Sequence, residues 1–156
     1  MLHRIALALL LTSAACTPVP PCPLAGVARR GDLDSIRRLV HNGADLNERS
    51  GVNGWTPLEH AVHKAQLDSL KLLLELGADP NAASPKGVTP LMMAAGYGYE
   101  GMVRVILEHK ANVSLKNGRG ETALNYARHG IGDIDRWTYP NEQSACVRLL
   151  EKPPVQ

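Results

Sequence analysis

The chain contains no phenylalanine and only six aromatic residues, two Trp and four Tyr. That scarcity excludes a thick core built on large rings, so the 44% of apolar residues must pack as thin layers of Leu, Ala and Val whose stability is shared between neighbours. An excess of charge of one sign is missing too. Lys and Arg number 17 against 15 Asp and Glu, a net charge of +2, and the two signs are interspersed, which argues against a nucleic-acid partner. The longest apolar stretch near the start, Ile5 to Leu11, falls well short of the roughly 20 residues that span a bilayer.

Chemical motifs are equally sparse. No Ser, His and Asp set is recognisable as a nucleophilic triad. Gly118-Arg119-Gly120 has no further glycine or lysine at the offset a phosphate loop requires, and reads as a hairpin tip. His60 and His63 stand three apart on one expected helix, yet no Asp, Glu or Cys falls at a companion spacing that would complete a metal site. The sequence therefore predicts no enzyme, no metal and no cofactor.

What is present is a period. Gly54-Trp55-Thr56-Pro57-Leu58, Gly87-Val88-Thr89-Pro90-Leu91 and Gly120-Glu121-Thr122-Ala123-Leu124 begin 33 residues apart. Their downstream halves also echo one another: Leu72-Leu73-Leu74-Glu75-Leu76-Gly77-Ala78-Asp79-Pro80-Asn81 is followed by Val105-Ile106-Leu107-Glu108-His109-Lys110-Ala111-Asn112-Val113-Ser114. A fixed period of this length marks a stacked array of supersecondary units. Thr56 and Thr89 can cap a first helix, Pro57 and Pro90 suit its first turn, and Ala61, Ala94, Ala95 and Ala127 permit close stacking. Second helices carry Ile36, Leu39 and Val40, then Leu70, Leu72, Leu73 and Leu74, then Val103, Ile106 and Leu107, then Val147, Leu149 and Leu150, at spacings that give one apolar stripe. Gly43 and Gly77 follow their helices where a left-handed residue ends one. Lys110 occupies the same place, so the third unit should be strained or differently ended.

These motifs resemble the ankyrin repeat, and with one residue allowed in a loop Cys22-Pro23-Leu24 begins an earlier unit. The resemblance implies an all-α solenoid of about four helix-turn-helix units with short β-turn tips, at 22–53, 54–86, 87–119 and 120–152, followed by a tail at 153–156. Arg38 and Glu151 replace apolar residues in the end units, as suits capping repeats. In such a stack Cys22 and Cys146 lie tens of ångströms apart, whereas a disulfide needs Cα atoms within about 7 Å. Cys22 then either replaces the capping Thr or serves an intermolecular or redox role, and Cys146 belongs to the core.

The N-terminus has the layout of a secretory signal over residues 1–15: basic Met1-Leu2-His3-Arg4, the apolar run, then small residues before Cys16. Ser13-Ala14-Ala15-Cys16 resembles the lipobox of bacterial lipoproteins, with Ser13 where that family prefers Leu; cleavage after Ala15 by the general signal peptidase is the alternative, and a non-secreted chain with an incidental apolar start is the remote third. The first reading makes Cys16 the lipidated residue and 16–21 a proline-rich tether, whose Thr17 to Pro21 reach at most about 15 to 18 Å. It implies a periplasmic location, with the outer membrane favoured by the absence of an Asp-type retention signal at Thr17; the second leaves a soluble periplasmic protein.

Two surfaces are expected to bind. In unit four, 11 extra residues near 130–141 should form a loop carrying Arg136, Trp137 and Tyr139, types enriched at interface hot spots, with covering of the end unit as the other use of Trp137. The concave face implied by the resemblance places Arg29, Arg30, Trp55, His60, His63, Lys64, Met93, Tyr97, Tyr126 and His129 in one strip. The expected function is a non-catalytic module, a monomer, that binds one protein: a secreted toxin, as an immunity protein would, or a resident envelope enzyme that it escorts. An envelope hydrolase or metal-binding protein built on the scaffold is the remote alternative.

Overall fold

The computed structural model describes residues 23–130 and 140–153. Eight helices occur in pairs among them: α1 (Pro23–Arg30) with α2 (Leu33–His41), α3 (Pro57–His63) with α4 (Leu67–Glu75), α5 (Pro90–Tyr97) with α6 (Glu100–Glu108), and α7 (Ala123–His129) with α8 (Pro140–Glu151). First helices stack in the order α1, α3, α5, α7 to form an inner row, and second helices in the order α2, α4, α6, α8 form an outer row. No strand is present among the described residues, which makes this the all-α solenoid expected from the period. The expected signal, Cys16, the tether and Cys22 lie outside the described residues, as do Arg136, Trp137, Tyr139 and residues 154–156. Helix α8 begins at Pro140, so Pro140 and Asn141 are helical.

The inner helices start where their caps dictate. Thr56 Oγ1 accepts from the Glu59 backbone N–H at 3.3 Å while Glu59 Oε2 accepts from the Thr56 N–H at 2.9 Å, a reciprocal capping box. Thr89 Oγ1 accepts from the Met92 N–H. Unit four has Asn125 in the role of Glu59: its Oδ1 takes the Thr122 N–H and the Thr122 hydroxyl, both at 2.8 Å.

The core is one continuous sheet of contacts between the rows. Leu58, Ala61, Leu70, Leu73, Leu91, Ala94, Val103 and Ile106 are all fully or almost fully buried. Each apolar side chain so placed contributes on the order of 1.5 to 3 kcal/mol, and no single layer is thick enough to stand without its neighbours. Cys146 is fully buried in this core, as expected of an apolar position.

The second helices end in a common way. Gly77 has φ +99°, its N–H bonds Leu74 O at 3.0 Å, and Ala78 N–H bonds Leu73 O at 2.9 Å. Lys110 adopts the same left-handed conformation with φ +62°, and the following bond, Ala111 N–H to Ile106 O, lengthens to 3.4 Å. The expected strain is present, and the unit ends in the same motif as its neighbours. Between repeats, side chains reach forward: Asn47 Oδ1 accepts the Asp79 N–H at 2.9 Å and Asn81 Oδ1 accepts the Asn112 N–H at 2.7 Å. Ser114 stands at the next rung in sequence.

Three tight hairpins project past the inner helices. They are closed by Ser50 with Trp55, Ser84 with Val88, and Asn117 with Glu121. The tips of units three and four touch through backbone, Gly118 N–H to Lys86 O at 3.0 Å. Gly87 has φ +75° there, and a Cβ on it would sit 3.1 Å from Asn117 Cα. Only glycine fits that approach.

Candidate functional site

The hairpin tips and the inner helices enclose a groove. Trp55 closes the unit-two hairpin and is held over α3, its indole 5.5 Å from the His60 ring and 4.9 Å from the His63 ring. His63 Nδ1 lies 3.0 Å from the Tyr97 hydroxyl of the next unit, and the rings are 6.1 Å apart. Tyr97 stacks in turn on Tyr99 at 5.3 Å. The period that stacks α3 on α5 thus places Trp55, His63 and Tyr97 in one row across two units.

Both histidines are shifted toward the neutral form. Burial lowers the His60 imidazole below its usual value, helped by Arg29 and His63, and burial lowers His63, helped by Lys64 and Arg29. His60 Nε2 pairs with Ser50 Oγ at 3.2 Å, which ties the histidine to the base of the hairpin. Among the described residues there is no group of three or more His, Cys, Asp or Glu able to hold a metal.

Next to this row a cavity of about 400 Å³ is lined by Val52 and Trp55 from one tip, Lys86 and Val88 from the next, Met93 and Tyr97 from α5, and Tyr126 from α7. A second hollow of about 470 Å³ continues from Lys86, Val88 and Tyr126 to Arg119, Glu121, Asn125 and His129. The two hollows adjoin at Lys86, Val88 and Tyr126 along a trough on the inner face.

Lys64 and His129 are exposed on this face, as are Arg29 and Arg30, and Trp55, His63, Tyr97 and Tyr126 are half-buried. Met93 departs from expectation: it is only 3% exposed. It lies among the buried residues of α5, in which Pro90 to Gly96 are all buried between α3 and α7, and supplies cavity wall instead of free surface. Arg136, Trp137 and Tyr139, the other expected contact, lie outside the described residues.

Residues that sequence reasoning passed over are prominent. Val52 is fully exposed at a tip, at 103%. Asn117, only 8% exposed, donates from Nδ2 to Glu121 Oε2 and to the Tyr126 hydroxyl, both at 2.9 Å, and accepts at Oδ1 from the Arg119 and Glu121 N–H groups. It fixes the unit-four tip and the Tyr126 ring together. Its signal was available: Ser84 and Asn117 stand 33 residues apart at equivalent hairpin positions. Glu59 is fully buried, and burial pushes its carboxyl up to about 7 against its capping bonds to Thr56.

Comparison with known proteins agrees with the architecture. Two models described as ankyrin repeats in many copies match residues 26–74 and 73–127. The ankyrin repeat and SOCS box protein 16 of Mus musculus is 44% identical over 123 residues, covering 74% of this chain and 27% of the relative. A putative ankyrin repeat-containing protein of Treponema pallidum (strain Nichols) is 30% identical over 118 residues, covering 76% of this chain and 38% of the relative. Neurogenic locus notch homolog protein 2 of Homo sapiens is 33% identical over 101 residues, 64% of this chain and 4% of that protein. The chain therefore spans well under half the length of these relatives. Ankyrin repeats generally act as scaffolds that bind other proteins, and consecutive matches across 26–127, on helices paired and stacked as described, place this chain in the ankyrin repeat family.

Proposed function

We propose that the chain is a non-catalytic module of the bacterial envelope that binds one protein partner along its inner groove. The observation that carries this reading is the groove itself: Trp55, Tyr97 and Tyr126, drawn from three successive units, line one cavity beside exposed cations. Rigid aromatic surface with a polar rim is what protein interfaces use. The envelope part of the proposal rests on the signal layout of residues 1–15 and on Cys16, which we take as the lipidated residue that anchors the array to the outer membrane. In that setting the module acts as an immunity protein, covering the working surface of a toxic enzyme that reaches the periplasm.

The test is affinity capture with the full-length chain, tagged at its C-terminus, from envelope extract and from material secreted by competing strains. A secreted enzyme that loses activity on binding supports the immunity role. A resident enzyme held in active form replaces that role with an escort, and an empty capture removes the single-partner reading. Cys16→Ser with acyl mass measured on both forms tests the anchor: a wild-type chain without acyl mass, or a variant still sedimenting with membranes, removes it.

A further inference from the structure

The groove is selective in its chemistry, and this deepens the protein-binding reading and rests on it. The cavity between the unit-two and unit-three tips is walled by ring faces and aliphatic carbon: Val52, Trp55, Val88, Met93, Tyr97 and Tyr126. Asn53 and Ser84 also line it and can donate or accept, while two further polar groups of the wall are placed to donate. Lys86 is exposed at its mouth, and the Tyr126 oxygen already accepts from Asn117 Nδ2, which leaves its own proton to give. The Tyr97 hydroxyl is engaged with His63 and presents its ring to the hollow.

Lys86 in the cavity wall is a cation, and further cations stand near it. Lys64 follows His63 at the C-cap of α3, Arg29 acts on the same imidazole from α1, and Lys86 and Arg119 stand on the next two tips. None of these four cations pairs with a carboxylate among the described residues, where the ion pairs include Arg37 with Asp34, Arg104 with Glu100 and Arg128 with Glu151. The carboxylate that does line the trough, Glu121, is already bonded to Asn117. Val52, fully exposed at the rim, leaves apolar surface that a ligand's carbon can cover.

We infer that the groove takes an acidic segment of the partner protein in which one bulky apolar side chain fills the Trp55, Met93, Tyr97 and Tyr126 cavity while flanking carboxylates meet Lys86 and the Lys64 and Arg29 pair. A basic segment would bring like charges together at Lys86, Lys64 and Arg29, and an acidic segment without the apolar side chain would leave the cavity and Val52 uncovered. Carboxylates at the rim set orientation and the rate of encounter, and the buried side chain sets the lifetime.

The probe is a displayed library of random nonapeptides selected on the full-length chain, with dissociation constants of enriched peptides read by fluorescence anisotropy. The expected result is enrichment of Asp and Glu around a single Leu, Met, Phe or Trp. Affinity should fall about tenfold or more with Lys86→Glu or Tyr97→Ala and weaken with added salt. Lys86 is exposed, so Lys86→Glu keeps the fold even where Tyr97→Ala loosens it, and circular dichroism checks both. Enrichment of basic or wholly polar peptides, the absence of enrichment, or equal binding by Lys86→Glu overturns the inference. A captured partner protein that binds wild type and Lys86→Glu alike also overturns it and leaves the protein-binding module standing.

Discussion

The hydroxyl of Tyr97 and Nδ1 of His63 lie 3.0 Å apart across the boundary between the second and third units. This bond joins two inner helices on the groove side, where both rings are half-buried. Tyr97→Phe keeps the ring and removes the bond, so stability should fall by about 0.5 to 1.5 kcal/mol. A denaturant midpoint unchanged from wild type near neutral pH would show that the two rings are held by packing alone.

Glu59 should make stability depend on pH in the less usual direction. Its carboxyl is raised from 4.5 to about 7 by burial, so between those values the folded state holds a proton that the unfolded state has released. Its contribution is fully present below 4.5 and is lost as pH rises through about 7. His60 and His63, lowered from 6.5, act oppositely: their contribution is present above 6.5 and is lost as pH falls below it. Glu59→Gln removes the first effect only. The difference in unfolding free energy between variant and wild type should shift in the variant's favour by about 1 to 3 kcal/mol from pH 4.5 to pH 8. Parallel stability curves for the two proteins over that range would mean that Glu59 remains ionised in the fold.

The array was legible because its determinants are local and recur. Thr56-Pro57 and Thr89-Pro90 set helix starts within three residues of themselves, and the left-handed strain at Lys110 followed from the glycine at Gly43 and Gly77. The groove was only partly legible. Its row of Trp55, His63 and Tyr97 follows from stacking identical units, but the cavity depends on which side chains of different units meet, and Val52 and Lys86 belong to tips whose reach the spacing does not encode. Met93 was misplaced for a related reason: α5 is buried from Pro90 to Gly96, whereas the equivalent His60 and Tyr126 of the neighbouring units are only half-buried. Ala65, with φ +54° between α3 and α4, was likewise missed, although Gly31 and Gly98 take that conformation in the neighbouring units.

Lys110→Gly should stabilise the chain. The substitution relieves a left-handed non-glycine residue, worth roughly 1 to 2 kcal/mol, against the greater freedom of glycine in the unfolded chain, roughly 0.5 to 1 kcal/mol. The net gain should be about 0.5 to 1 kcal/mol, read from the urea midpoint at constant m-value. Ala65→Gly should behave alike for the same reason, and the two effects should add because the sites terminate different helices in different units. A destabilised Lys110→Gly would show that the lysine side chain makes a compensating contact.

Asn117 holds the unit-four tip through four hydrogen bonds, two given to Glu121 and Tyr126 and two taken from the Arg119 and Glu121 backbone. Because its side chain is 8% exposed, water cannot readily replace those partners in Asn117→Ala. Two backbone donors lose their acceptor, and the expected cost is about 1 to 3 kcal/mol. The loss should also be local. Amide exchange should quicken at residues 117–121 and leave the equivalent tip at 84–88, closed by Ser84 and Val88, nearly unchanged. Equal acceleration at both tips would instead mean that the hairpins open together, as one cooperative edge running along the groove, and that Asn117 sets the stability of the whole row of tips.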